Sequence, residues 1–111
     1  MTARLDYVEL PVGDSEASAR FFADAFGWSL TSFGPSYSAT TTGDVDVGLQ
    51  ADRKEASAAP LPVVRVDDLE ACRSAVVAAG GVVVRDIFAF PGGRRFHFRE
   101  PGGNELAAWT T

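Results

Sequence analysis

His97 is the single imidazole of the chain and Cys72 the single thiol. With one of each, neither a Cys/His zinc cluster nor a Cys–His nucleophile pair can be assembled from neighbouring residues. A metal site would rest on carboxylates with His97 added, a donor set that suits Mg or Mn better than Zn or Fe. The carboxylates therefore carry most of the remaining chemistry. Tyr7 and Glu9 alternate with Val8, Leu10 and Val12, so they share one face of a strand whose other face is apolar. A carboxylate on such a face must be paired or neutralised, and a desolvated one beside a substrate can abstract a proton. His97 falls between Phe96 and Phe98, which places it opposite two phenyl rings and beside Arg95 and Arg99. The expectation is a surface or dimer-contact histidine, with a pocket role as the alternative.

The elements that position these residues repeat. A strand over Tyr7–Val12 leads to Gly13-Asp14, and Asp14 is a good N-cap for a helix over Ser15–Phe26 stopped by Gly27. Ala17, Phe21, Phe22, Ala25 and Phe26 share a face of that helix and are expected in the core. Short strands follow at Trp28–Phe33, Tyr37–Thr41 and Val45–Gln50, parted by Gly34-Pro35 and Gly43-Asp44 turns. After the polar, Ala-rich connector Ala51–Pro60 the pattern starts again. Leu61–Val66 is a strand, Asp67-Asp68 caps a helix over Leu69–Ala79, and Gly80-Gly81 closes it. Strands at Val82–Asp86, Arg95–Arg99 and Asn104–Trp109 complete the second half. Val12-x-Asp14-x-Glu16-Ala17 matches Val66-x-Asp68-x-Glu70-Ala71 and Gly27 matches Gly81, all at one offset. The chain reads as a tandem βαβββ repeat in one domain over 1–111, with modules 1–50 and 61–111 and the connector at 51–60.

Composition sets outer bounds. At 111 residues the chain is one domain in size and long enough for a core without staples. Fifteen acidic against 10 basic residues give a net charge of −5, and Lys54 is the one lysine. Such a balance disfavours nucleic acid and anionic membranes as partners and leans toward a cationic or neutral ligand. The N-terminal stretch enters charged sequence at once, with no signal-peptide core and no apolar run long enough for a membrane span. Together with the lone cysteine, this points to the cytoplasm.

Val-Glu-Leu-Pro-Val-Gly-Asp14, Ala-Phe-Gly-Trp28, Val-Asp-Asp68 and Phe-Arg-Glu-Pro-Gly-Gly-Asn104 together resemble the vicinal oxygen chelate superfamily, which holds glyoxalases, extradiol dioxygenases and bleomycin-resistance proteins. The resemblance covers nearly the whole chain. It implies an α+β fold in which the βαβββ modules form a cup-shaped, eight-stranded mixed sheet with helices on the outer face, closed as a homodimer. It does not imply a reaction. Enzymes of that group place one metal ligand on a strand of each quarter of the cup. Counted back from Asp14 and from Asp68, two of those positions are Tyr7 and Leu61. The others fall at Gly48 or Gln50 and at Ala107. That set does not bind a catalytic metal, so neither a metal nor another cofactor is expected.

If Tyr7 faces the cup, alternation sends Glu9, Leu61, Glu105 and Trp109 there too, and the resemblance adds Trp28, Phe33, Tyr37 and Gln50 as wall residues. Aromatic rings with nearby carboxylates suit a flat small molecule. The expectation is a metal-free, small-molecule-binding protein of the bleomycin-resistance type. The alternative is a glyoxalase- or dioxygenase-like lyase or isomerase with atypical metal ligands or with Glu9 as base.

Overall fold

The computed structural model describes residues 3–111. They form β1 (Ala3–Pro11), α1 (Ser15–Phe26), β2 (Thr31–Ser32), β3 (Tyr37–Ala39), β4 (Asp46–Gln50), β5 (Leu61–Val66), α2 (Leu69–Ala78), β6 (Val82–Phe90), β7 (Gly93–Arg99) and β8 (Glu105–Thr110). The order βαβββ–βαβββ is the repeat expected from the sequence, and the fold is α+β with mixed strand pairing. Two compact units carry it: Tyr7–Leu61, and Pro62–Thr111 together with the residues up to Asp6.

In the first unit the strand order is β2-β3-β4-β1, with β1 and β4 parallel and the other pairs antiparallel. The second unit repeats it as β5-β8-β7-β6, with β5 and β8 parallel. Each parallel pair needs a crossover, and in each unit the helix supplies part of it. Asp14 Oδ1 accepts from the N–H groups of Glu16 (3.0 Å) and Ala17 (3.2 Å), and Asp68 Oδ1 accepts from Ala71 N–H at 2.9 Å. Gly27 ends α1 at φ 71°, a left-handed conformation that a Cβ would penalise.

The second unit has the larger apolar core. Leu69 and Cys72 of α2 pack on Val66, Phe96 and Ala108 of the sheet, with Val64, Val76, Val83, Ile87 and Phe98 around them. Cys72 is therefore a small core residue, as its place on the helix stripe suggests.

The first unit departs from expectation. Phe21 and Phe26 are 59% and 62% exposed, so they are not core. The face α1 turns to β3 and β4 is Ser15, Ser18, Ala19 and Phe22, at i, i+3, i+4 and i+7, and Ser15 Oγ donates to Pro35 O at 3.3 Å. Small side chains let the helix sit close to the sheet, and the bulky rings are left to stack on one another. Hydrophobicity alone selects the wrong stripe here. The strands also differ in extent. Only Thr31–Ser32 pairs within the predicted Trp28–Phe33 stretch, while β6 runs on to Phe90 through two register shifts. Residues 51–60 form neither strand nor helix; their turn is pinned by Asp52, whose Oδ1 accepts from Lys54 N–H at 3.0 Å. Among the described residues no helix is long and apolar enough to cross a membrane.

Candidate functional site

On β1, Glu9 lies opposite Gly48 of β4, and Gly48 lies opposite Ala39 of β3. Tyr7 and Tyr37 flank this row. Because position 48 has no side chain, the two phenol hydroxyls meet above it, and a Cβ there would collide with both. The hydroxyls of Tyr7 and Tyr37 hydrogen-bond to each other, and Tyr37 donates to Glu9 Oε2 at 3.1 Å. Glu9 is 4% exposed. Burial first, and then the Glu9 charge and Tyr7, push the Tyr37 phenol far above the ordinary tyrosine range. Tyr37 is thus held as a neutral donor to a buried carboxylate.

The other first-unit residues expected at the site stand apart from this cluster. Gln50 Oε1 accepts from Asp52 N–H at 2.9 Å and so is engaged in the following turn. Phe33, largely exposed, has its ring 6.5 Å from that of Tyr37. Leu61 is buried. Trp28 stacks on Phe22 at 5.2 Å and lies tilted against Phe26 at 5.4 Å, within the aromatic group of the helix. Hollows of about 440 and 450 Å³ lie along α1, the first lined by Leu10, Val12 and Phe22 among others, the second by Ser15, Leu30 and Ser38 among others. None of the expected site residues lines either.

In the second unit, register puts Arg65, Arg95 and Trp109 in one row and Val63, Ala107, His97 and Arg85 in the next. These residues share the face turned away from α2, and Glu105 joins them at the end of β8. Trp109 Nε1–H donates to Asp6 Oδ1 at 2.9 Å, and the Arg65 guanidinium lies 4.7 Å from the indole centroid. Arg85 lies 3.6 Å over the Phe88 ring, with Arg95 at 5.3 Å from the same ring. The expectation for His97 is corrected here: it is 3% exposed, not a surface residue, and its Nδ1 is 2.8 Å from Glu105 Oε2. Glu105 adjacent to Nδ1 assigns the proton to that nitrogen. Burial is the largest influence on the imidazole and lowers its pKa; the Glu105 bond opposes this, Arg95 and Arg85 add to it, and the net shift is downward.

This face holds four arginines, Arg65, Arg85, Arg95 and Arg99, that sequence reasoning did not assign to a site. The signal was present in the alternation of Arg95, His97 and Arg99 against Phe96 and Phe98, which identifies a shared face without saying whether that face is covered. Net charge was the weaker guide, since it does not locate the positive groups.

At the positions where metal enzymes of the resembled superfamily carry ligands, the side chains do not fit a divalent ion. The Tyr7 hydroxyl is bonded to Tyr37, the Gln50 oxygen is held by the backbone of Asp52, Gly48 has no side chain, and Leu61 and Ala107 are hydrocarbon. Among the described residues no group of three or more His, Cys, Asp or Glu side chains gathers.

The family model of the Glyoxalase/Bleomycin resistance protein/Dioxygenase superfamily matches residues 4–108, and the chain belongs to that superfamily. No curated protein matches it in sequence. Solved structures share the fold. A superfamily member from Vibrio splendidus 12B01 is 19% identical, with 99% of this chain and 100% of that one covered and a TM-score of 0.73. Methylmalonyl-CoA epimerase from Mycobacterium tuberculosis is 16% identical over 95% of this chain and 85% of its own, with a TM-score of 0.73. The Mn(II)-bound glyoxalase from Novosphingobium aromaticivorans is 23% identical, with a TM-score of 0.70, over 97% of this chain and 40% of that one.

Proposed function

We propose that the protein binds a small organic molecule without a metal ion, as a member of the bleomycin-resistance kind within its superfamily. The supporting observation is the chemistry at the superfamily's ligand positions: the oxygens there are engaged within the protein, and the remaining side chains cannot donate. In place of a metal site, the first module offers Tyr7, Tyr37 and buried Glu9, with Phe33 beside them. The second module offers Glu105 and the Trp109 indole. Rings supply contact area at low entropic cost, and the carboxylates orient polar groups of a ligand.

The test has two arms. Elemental analysis of protein purified without a metal-chelating tag should find no stoichiometric metal; a tightly held equivalent would overturn the reading. A thermal-shift panel of neutral and charged ring compounds should yield saturable stabilisation, and Tyr37→Phe should weaken the best binder by about tenfold, the worth of one hydrogen bond to a polar partner.

A second reading, catalysis with Glu9 as general base, is favoured by the burial of that carboxylate. It requires deuterium from D₂O to enter the bound compound at catalytic protein concentrations, and that exchange to vanish in Glu9→Gln. Binding without exchange removes this reading and leaves the first.

A further inference from the structure

The imidazole of His97 is 96% buried as a side chain's worth of surface, and among the described residues its Nε2 has no hydrogen-bond partner. The other ring nitrogen is committed to Glu105 at 2.8 Å. With the proton on Nδ1, Nε2 presents a lone pair, and a buried acceptor left unsatisfied costs the protein stability that a ligand can restore. The facing strand is shaped around this point. Arg85 lies directly opposite His97, and β6 shifts register on both sides of it, between Val83 and Arg85 and between Arg85 and Phe88. Such irregularities re-aim side chains, and they are enriched beside functional sites. Here they bring Phe88 to 5.8 Å from the imidazole centroid. Phe88 is itself only half-buried.

We propose that His97, oriented by Glu105, is a ligand-contacting hydrogen-bond acceptor, and that the ligand is a ring compound presenting an O–H or N–H donor to Nε2 while its ring packs on Phe88. This deepens the small-molecule reading above and rests on it. The role assigned to Glu105 is positioning: its carboxylate fixes the tautomer and leaves the lone pair on Nε2.

His97 is the only histidine in the sequence, so isotope-labelled histidine reports on this ring alone in the full-length protein. Nitrogen chemical shifts of the free protein should show the Nδ1–H tautomer. Phenol should then shift the Nε2 resonance saturably. Anisole, which keeps the ring and lacks the O–H, should bind about tenfold more weakly and leave Nε2 where it was. Glu105→Gln should redistribute the tautomers and erase the preference for phenol. The proposal is overturned if the free protein carries its proton on Nε2, if neither probe binds, or if phenol and anisole bind alike. In that last case the binding of both leaves the small-molecule reading standing while His97 is removed from it.

Discussion

Tyr37 donates a hydrogen bond from its hydroxyl to Glu9 across a strand that separates them: β4 lies between β3 and β1, and the bond passes over Gly48. A phenol, a buried carboxylate and a missing side chain form one device. Each part explains another, since the glycine makes room for the hydroxyls and the hydroxyl offsets the burial of the charge.

Removing the phenol oxygen should therefore destabilise the fold. Tyr37→Phe takes a charge-assisted hydrogen bond from Glu9, and a loss of about 1–3 kcal/mol in urea unfolding is expected. Gly48→Ala should act on the same device by pushing both hydroxyls aside, with a cost of about 1–3 kcal/mol as overpacking. Alkali provides an independent check. The folded-state pKa of Tyr37 is raised, so its contribution is fully present below the ordinary tyrosine value of 10.0 and is lost as pH rises beyond it. Stability falling above that point in wild type, but less steeply in Tyr37→Phe, is the expected outcome. Identical slopes would mean that Tyr37 ionises in the folded protein as it does unfolded.

The repeat was legible because its signals are local. Asp14 and Asp68 cap their helices, Gly27 takes the left-handed conformation, and period-two runs gave the strands to within a few residues. The α1 packing face was not legible, because Ser15, Ser18 and Ala19 make contact by being small, and a hydrophobicity pattern is blind to that. At the site, alternation placed Tyr7 and Glu9 together and separated His97 from Phe96 and Phe98. The meeting of Tyr37 with Glu9 depends on pairing across Gly48, and the approach of Phe88 to His97 depends on the bulged course of β6. Neither register nor bulge is written in the residues that meet.

His97 makes an acid-side prediction. Its folded-state pKa is lowered, so the unfolded chain takes up a proton before the native protein does as pH falls. The contribution is complete above the unfolded value of 6.5 and is lost progressively below it. Stability measured by urea from neutral pH toward pH 5 should decline, and His97→Gln should flatten that part of the curve. A further decline belongs to Asp46. Its slight burial acts to raise its pKa, but hydrogen bonds from Thr40, Thr42 and Gly43 outweigh that and lower it, so its stabilisation disappears at still lower pH, below 3.8. A stability curve level from neutral to pH 5 would contradict the account of His97.

Assembly is the third prediction. Phe21, Phe26 and Trp28 are exposed at 59%, 62% and 39%, and with Phe22 they stack into one aromatic group with neighbouring centroids 5.2 to 6.5 Å apart. β6, nine residues long and, among the described residues, paired only to β7, adds exposed Val82 and Val84. Contiguous rings and a long open edge favour self-association, for which a two-fold pair is the simplest closed solution. Light scattering at micromolar concentration should report a homodimer, and Phe26→Ser should shift the equilibrium toward monomer. A wild-type protein that stays monomeric would remove the proposal.

The last prediction concerns added metal. A ligand that binds only the native state raises stability by RT ln(1 + [L]/Kd), about 2.7 kcal/mol at a hundredfold excess over Kd. For Mn, Ni or Zn to deliver that, oxygen or nitrogen donors must converge at the right radius. The Tyr7 hydroxyl would have to leave Tyr37, and Gln50 would have to release the backbone of Asp52. Each exchange trades a hydrogen bond within the protein for one contact to the ion, while Leu61 and Ala107 contribute nothing. Titrating each ion into metal-free protein should therefore leave Tm unchanged within error. His97 provides the control: its one ring resonance should not move or broaden with Mn, because Nδ1 is held by Glu105 and, among the described residues, no further donors gather with it into a metal-binding group. A saturable rise in Tm would show that these side chains rearrange to coordinate, and the metal-free reading would have to be abandoned. A rise accompanied by broadening of the His97 signal would in addition identify His97 as one of the donors.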